Sequence, residues 1–145
     1  MVQLIVGKKG KGKTKQLLDK VNSEVKEISG NIVYLDKSSQ HMYELNNKVR
    51  LIDVSQCSIE NSSEFIGFVC GIMSQDHDLQ QMYFDSFLKI SCLENGGTVK
   101  QEDLTAAIEK LEKLSKSFEV DFVLSVSMDE TELPEGLKEK VLIAV

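Results

Sequence analysis

The stretch Val2-Gln3-Leu4-Ile5-Val6, followed at once by Gly7-Lys8-Lys9-Gly10-Lys11-Gly12-Lys13-Thr14, decides how the rest of the chain is read. The second part matches Gly, any four residues, Gly, Lys, then Ser or Thr, the Walker A pattern of a phosphate-binding loop. Its glycines let the backbone turn successive N–H groups inward around a phosphate chain. Lys13 supplies a mobile positive charge for the terminal phosphates, and the Thr14 hydroxyl is a ligand for magnesium. The pattern requires a strand before the loop and a helix after it. The apolar run 2–6 suits a buried parallel strand, and Leu17, Leu18, Val21, Val25 and Ile28 recur at helical spacing behind the loop. The reading is therefore a nucleotide-binding loop spanning Gly7, Lys8, Lys9, Gly10, Lys11, Gly12, Lys13 and Thr14, with Lys15 beside it.

Outward from this loop, strands and helices alternate. A helix is expected over residues 13–28, with Gly30 as its stop. Strands follow at 31–36, 49–54, 79–84, 120–127 and 141–145, while 37–48 reads as irregular or one short helix. A helix capped by Ser62 or Ser63 runs to Ser74, with Phe65, Ile66, Val69, Ile72 and Met73 on its buried face. Residues 102–118 are the strongest helix, striped by Leu104, Ile108, Leu111, Leu114 and Phe118. This alternation predicts an α/β fold of three α/β/α layers around a mainly parallel sheet of five to six strands, in one domain over 1–145. Parallel sheets bind ligands at the carboxyl ends of their strands, which singles out Asp36, Asp53, Asp85 and Ser127 beside the loop.

Gln81-Met82-Tyr83-Phe84-Asp85 is a hydrophobic strand ending in aspartate, the usual second part of such a site. The Asp85 carboxylate is expected on the magnesium shell opposite Thr14. Catalytic roles fall to Lys13, Asp85 and Asp53. Many ATPases place a water-activating glutamate directly after the strand aspartate, but here that position is Ser86. Asp53 and Asp36 are the available substitutes on neighbouring strands, and each also reads as an ordinary strand-end or turn residue.

Composition narrows the partners. The 145 residues carry a formal net charge of −6, which gives no strong nucleic-acid signal and argues against an anionic membrane surface. Positive charge is concentrated in Lys8, Lys9, Lys11, Lys13 and Lys15, a patch suited to steering a polyanionic nucleotide. The three cysteines, Cys57, Cys70 and Cys92, lack paired spacing and read as reduced thiols. No long apolar segment precedes Lys8, so a cytoplasmic protein with no signal peptide or membrane span is expected. His41 and His77 have no ligand-spaced partners and read as solvated loop residues. The segment from Asp85 to Val99 is apolar for a loop, with Phe87, Leu88, Ile90 and Leu93. It reads as a helical turn packed into the core or as a docking surface for a protein partner.

On Gly7–Thr14 and Asp85, the chain resembles a stand-alone phosphate-loop NTPase of the RecA-like division, the group that includes the twitching-motility ATPases. It is similar to small bacterial proteins given that label. The motors themselves carry a further domain and additional acidic and histidine motifs, so a motor role does not carry over. The resemblance implies that the fifth strand lies between the loop strand and the Asp85 strand, with Ser125 or Ser127 in a sensor-like position. It implies ATP as ligand and Mg2+ as cofactor.

Four functions compete on these residues. The first is a slow or partner-stimulated ATPase. The second is a small nucleoside or nucleotide kinase, disfavoured because Arg50 is the only arginine and phosphoryl transfer usually recruits several. The third is a GTP switch, which lacks the glycine expected after Asp85 and a guanine-reading motif; Asn47-Lys48-Val49-Arg50 ends wrongly. The fourth is a nucleotide-binding module without turnover.

Overall fold

The computed structural model describes residues 1–145. Strands β1 (Val2–Gly7), β2 (Asn31–Asp36), β3 (Val49–Asp53), β4 (Leu79–Phe84), β5 (Asp121–Ser127) and β6 (Val141–Ala144) form one sheet. Their spatial order is β3-β2-β4-β5-β1-β6, and every pairing is parallel. The fifth strand thus separates the loop strand from the Asp85 strand. Four helices connect the sheet: α1 (Lys13–Glu24), α2 (Ser62–Gln75), the single turn α3 (Phe87–Ile90) and α4 (Gln101–Phe118).

Side chains of each strand alternate between two cores, as the pleat demands. Leu4, Val6, Val33, Leu35, Met82, Phe84, Phe122 and Leu124 face α2, α3 and α4 in the larger core. Ile5, Ile32, Tyr34, Tyr83 and Val123 face the other way, onto Leu17, Leu18 and Val21 of α1. The sheet is therefore covered on both faces, in three layers. No helix is long and apolar enough to cross a membrane.

Two helix ends are placed differently from the sequence reading. Helix α1 ends at Glu24, four residues before Ile28. Beyond it the chain tightens into short-range bonds, such as Glu27 N donating to the Glu24 carbonyl at 2.9 Å, before turning at Gly30 into β2. Asn61, rather than Ser62 or Ser63, caps α2: its side-chain oxygen accepts from Glu64 N at 2.9 Å. The Glu64 carboxylate in turn accepts from Glu60 N, tying down the chain ahead of the cap. The region 37–48, expected to be irregular or one short helix, holds a single 3₁₀ turn at Met42–Glu44.

The segment following Asp85 packs inward. Phe87, Leu88, Ile90 and Leu93 are all buried in the larger core, and Phe87 meets the rings of Phe65 and Phe84 edge-on. Their apolar surface is consumed by the fold, so it does not form the exposed patch that docking through 85–99 requires.

Candidate nucleotide site at the carboxyl ends of the strands

The loop 8–12 links the last residue of β1 to the first of α1. Gly10 and Gly12 have φ of 80° and 91°, a left-handed backbone that residues with a Cβ rarely adopt. Lys8, Lys9, Lys11 and Lys15 are exposed, whereas Lys13 is buried beneath the loop. Its Nζ donates to the Lys8 carbonyl at 3.0 Å, bracing the loop from within. Burial pulls the Lys13 ammonium below its ordinary pKa, opposed by the nearby Asp85 carboxylate and assisted by Lys9. Lys15 is turned along α1 and pairs with Asp19 at 2.8 Å.

Asp85 leaves the end of β4 and is buried under the start of α1. Three hydroxyls hold its carboxylate: Thr14 and Ser125 donate to Oδ1 at 3.2 and 3.0 Å, and Tyr34 donates to Oδ2 at 2.8 Å. Ser86, next in the chain, takes a left-handed backbone with φ 54°, an uncommon state for a residue with a side chain. Its N–H donates to Ser125 Oγ at 2.9 Å. One serine on β5 therefore fixes both Asp85 and the sharp turn behind it.

Loop, strand ends and α3 line a cleft of about 390 Å³ that is open to solvent. Lys9, Gly10, Gly12, Lys13, Thr14, Asp85, Ser125 and Ser127 line it, together with residues the sequence reading did not single out for the site: Lys37, Lys89 and Glu94. Lys37 follows directly on the strand end at Asp36 and could have been found by the strand-end rule. Lys89 and Glu94 enter only because α3 folds back toward the loop. The Glu94 carboxylate lies 3.5 Å from Lys9 Nζ.

The other aspartates separate. Asp53 does not line this cavity; it caps the turn after β3, accepting from Ser55 N and Ser55 Oγ at 3.0 and 2.6 Å. Asp36 is 1 % exposed. Lys37 N donates to its Oδ1 at 2.7 Å, but Oδ2 is buried with no hydrogen-bond partner. Burial first, and then the neighbouring Asp85 charge, push the Asp36 carboxyl up to about 6.

His41 corrects an expectation. It is half-buried rather than freely solvated, and ligand atoms of Asp36, His41 and Asp85 all lie within 4.8 Å of one another. Its Nδ1 donates to Glu44 at 2.7 Å. The turn after β2 brings it back over the strand ends, a path that spacing along the chain does not encode. His77 is exposed as expected.

No protein-family model matches the chain, and no curated protein matches it. Four lysines line the cavity: Lys9, Lys13, Lys37 and Lys89, facing the carboxylates of Asp85 and Glu94. Such a site suits a compact polyanion with an associated cation. Arg50 is remote from it, paired with Asp76 near the opposite end of the strands.

Proposed function

We propose that this chain binds a magnesium–nucleoside triphosphate, with ATP as the ligand, and hydrolyses it slowly unless a partner assists. The reading rests on one observation: Thr14 Oγ1 and Asp85 Oδ1 meet at 3.2 Å beside buried Lys13, at the wall of a cavity closed by a glycine-rich loop. Two hard oxygens so placed fit a magnesium ion, and Thr14 and Asp85 are the residues that would hold it. Bound there, the ion would neutralise phosphate charge. The chain's own residues do the rest: loop N–H groups and Lys13 bind and orient the phosphates, and Lys9, Lys37 and Lys89 offset their charge. The strand order, with β5 between β1 and β4, supports a RecA-like arrangement of the phosphate loop.

A kinase is the second reading. A polar cavity of about 490 Å³ adjoins Thr14 and is lined by Lys15, Asp19, Asn22, His41 and Glu44, room for a phosphate acceptor. The extra cavity lysines supply part of the charge that arginines give other kinases.

The test is thermal unfolding with a nucleotide panel, with and without Mg2+, followed by phosphate release and transfer assays. At a hundred times its dissociation constant a ligand adds about 2.7 kcal/mol, or roughly 5–10 °C for a domain of this size. Lys13→Ala and Thr14→Ala should largely remove the shift. No shift with any nucleotide would refute the reading. Transfer to an added acceptor, without free phosphate, would replace the ATPase with the kinase.

A further inference from the structure

We propose that Asp36, His41 and Asp85 form a binding site for a divalent transition-metal ion, sharing Asp85 with the magnesium that accompanies a nucleotide but not depending on Thr14. One ligand atom from each residue lies within 4.8 Å of the others. Ligands held about 2.1 Å from a common ion stand about 3–3.4 Å apart, so the three would draw together by up to about 2 Å, and half-buried His41 has more room to move than the two buried aspartates.

A second, independent observation points to a cation. Asp36 is 1 % exposed, yet its Oδ2 has no hydrogen-bond partner. A buried carboxylate oxygen without a partner is costly, and here a second buried carboxylate stands beside it. None of the surrounding donors reaches that oxygen: Tyr34, Thr14 and Ser125 all donate to Asp85, and Lys37 N serves the other oxygen of Asp36. An ion between the two carboxylates supplies what the protein does not.

The histidine is arranged for the same purpose. Nδ1–H donates to the Glu44 carboxylate at 2.7 Å, which leaves Nε2 as an acceptor; the Gln40 side-chain amide donates to it at 3.0 Å, and a metal ion would take that amide's place. A carboxylate behind an imidazole is the outer contact that orients metal-binding histidines and raises their basicity. His41 lines the second cavity beside Thr14 and Asp85 lines the first, so two of the three ligands border space open to solvent. One nitrogen with two carboxylates favours manganese through zinc over magnesium, which prefers oxygen alone. The inference concerns metal binding without nucleotide and does not rest on the ATPase reading.

Cobalt is the probe. Tag-free, chelator-treated full-length protein is titrated with Co2+ and followed by its visible absorption. A saturable spectrum is expected, displaced by Zn2+ but retained in about a hundredfold excess of Mg2+. His41→Gln, on a surface turn where folding is not at risk, should weaken Co2+ binding about tenfold or more, and Glu44→Gln about tenfold. Asp36→Asn should abolish it, with far-UV circular dichroism checking the fold. Thr14→Val should lose the Mg-nucleotide response while keeping the Co2+ spectrum, so the two readings fail separately. No saturable Co2+ spectrum, or one unchanged in both His41→Gln and Asp36→Asn, would overturn the site. In that case a proton shared between the two aspartates takes the ion's place.

Discussion

The Thr14 hydroxyl donates to Asp85 Oδ1 at 3.2 Å, although 71 positions separate the two residues in the chain. Neither strand alone could arrange this. Thr14 rides on the first turn of α1, Asp85 ends β4, and β5 lies between their strands and presents Ser125 to hold Asp85 from below. A contact made by three elements depends on all of them, so variants around Asp85 report on both folding and binding.

Asp85→Asn should weaken nucleotide binding in Mg2+ by about tenfold or more and leave metal-free binding nearly intact, because its expected contact is with the ion. Calorimetric titration with and without EDTA checks this. Equal losses under both conditions would make Asp85 a structural residue.

Ser125→Ala removes a hydroxyl that accepts from Ser86 N at 2.9 Å and donates to Asp85 at 3.0 Å. Both partners stay buried or half-buried, so the loss should be about 1–3 kcal/mol in urea unfolding, above the mean for a single hydrogen bond. Ser125→Thr keeps the hydroxyl and should restore part of it. A change under a few tenths of a kcal/mol would mean that water replaces the bridge.

Stability in chelating buffer should fall as pH rises between 4 and 6. The Asp36 carboxyl titrates near 3.8 in an unperturbed chain and at about 6 in the fold. Between those values the native state holds the extra proton; its stabilisation is fully present below pH 4 and gone once pH exceeds 6. Asp36→Asn should flatten this slope and raise stability at pH 7 by about 1–3 kcal/mol. An unchanged slope in the variant would place the titration elsewhere.

Hydrolysis by the purified chain should be slow, below about one turnover per minute. Intrinsic GTP hydrolysis by Ras, at roughly 3–5 × 10⁻⁴ per second, is the comparison for a site lacking an arginine. Asp53→Asn should change little, since Ser55 holds that carboxylate outside the cavity. Fast turnover that is lost in Glu94→Gln would show that the cavity carries its own base, at a carboxylate now 3.5 Å from Lys9. A partner that raises the rate should lose the effect when one of its arginines is replaced.

The sequence by itself determined the α/β alternation, the loop at Gly7–Thr14, the buried strand ending before Asp85 and the stripe of α4 through Leu104, Ile108 and Leu111, though Phe118 at its end is exposed. Each is written in local spacing: glycine and lysine at fixed offsets, apolar runs of strand length, apolar residues at helical period. Even the inward turn of Phe87, Leu88 and Ile90 was one of two readings available from composition alone. Tertiary structure decided the rest. It separated Asp53 from Asp36, two strand ends equivalent in sequence, because one meets Ser55 on the edge strand and the other is buried beside Asp85. It brought Lys89 and Glu94 to the cavity through the fold-back of α3, and His41 to Asp36 and Asp85 through an irregular turn. Periodicity marks which residues are buried along a regular element. Loops have no period, so where they return to the sheet is settled only when the strands are laid side by side.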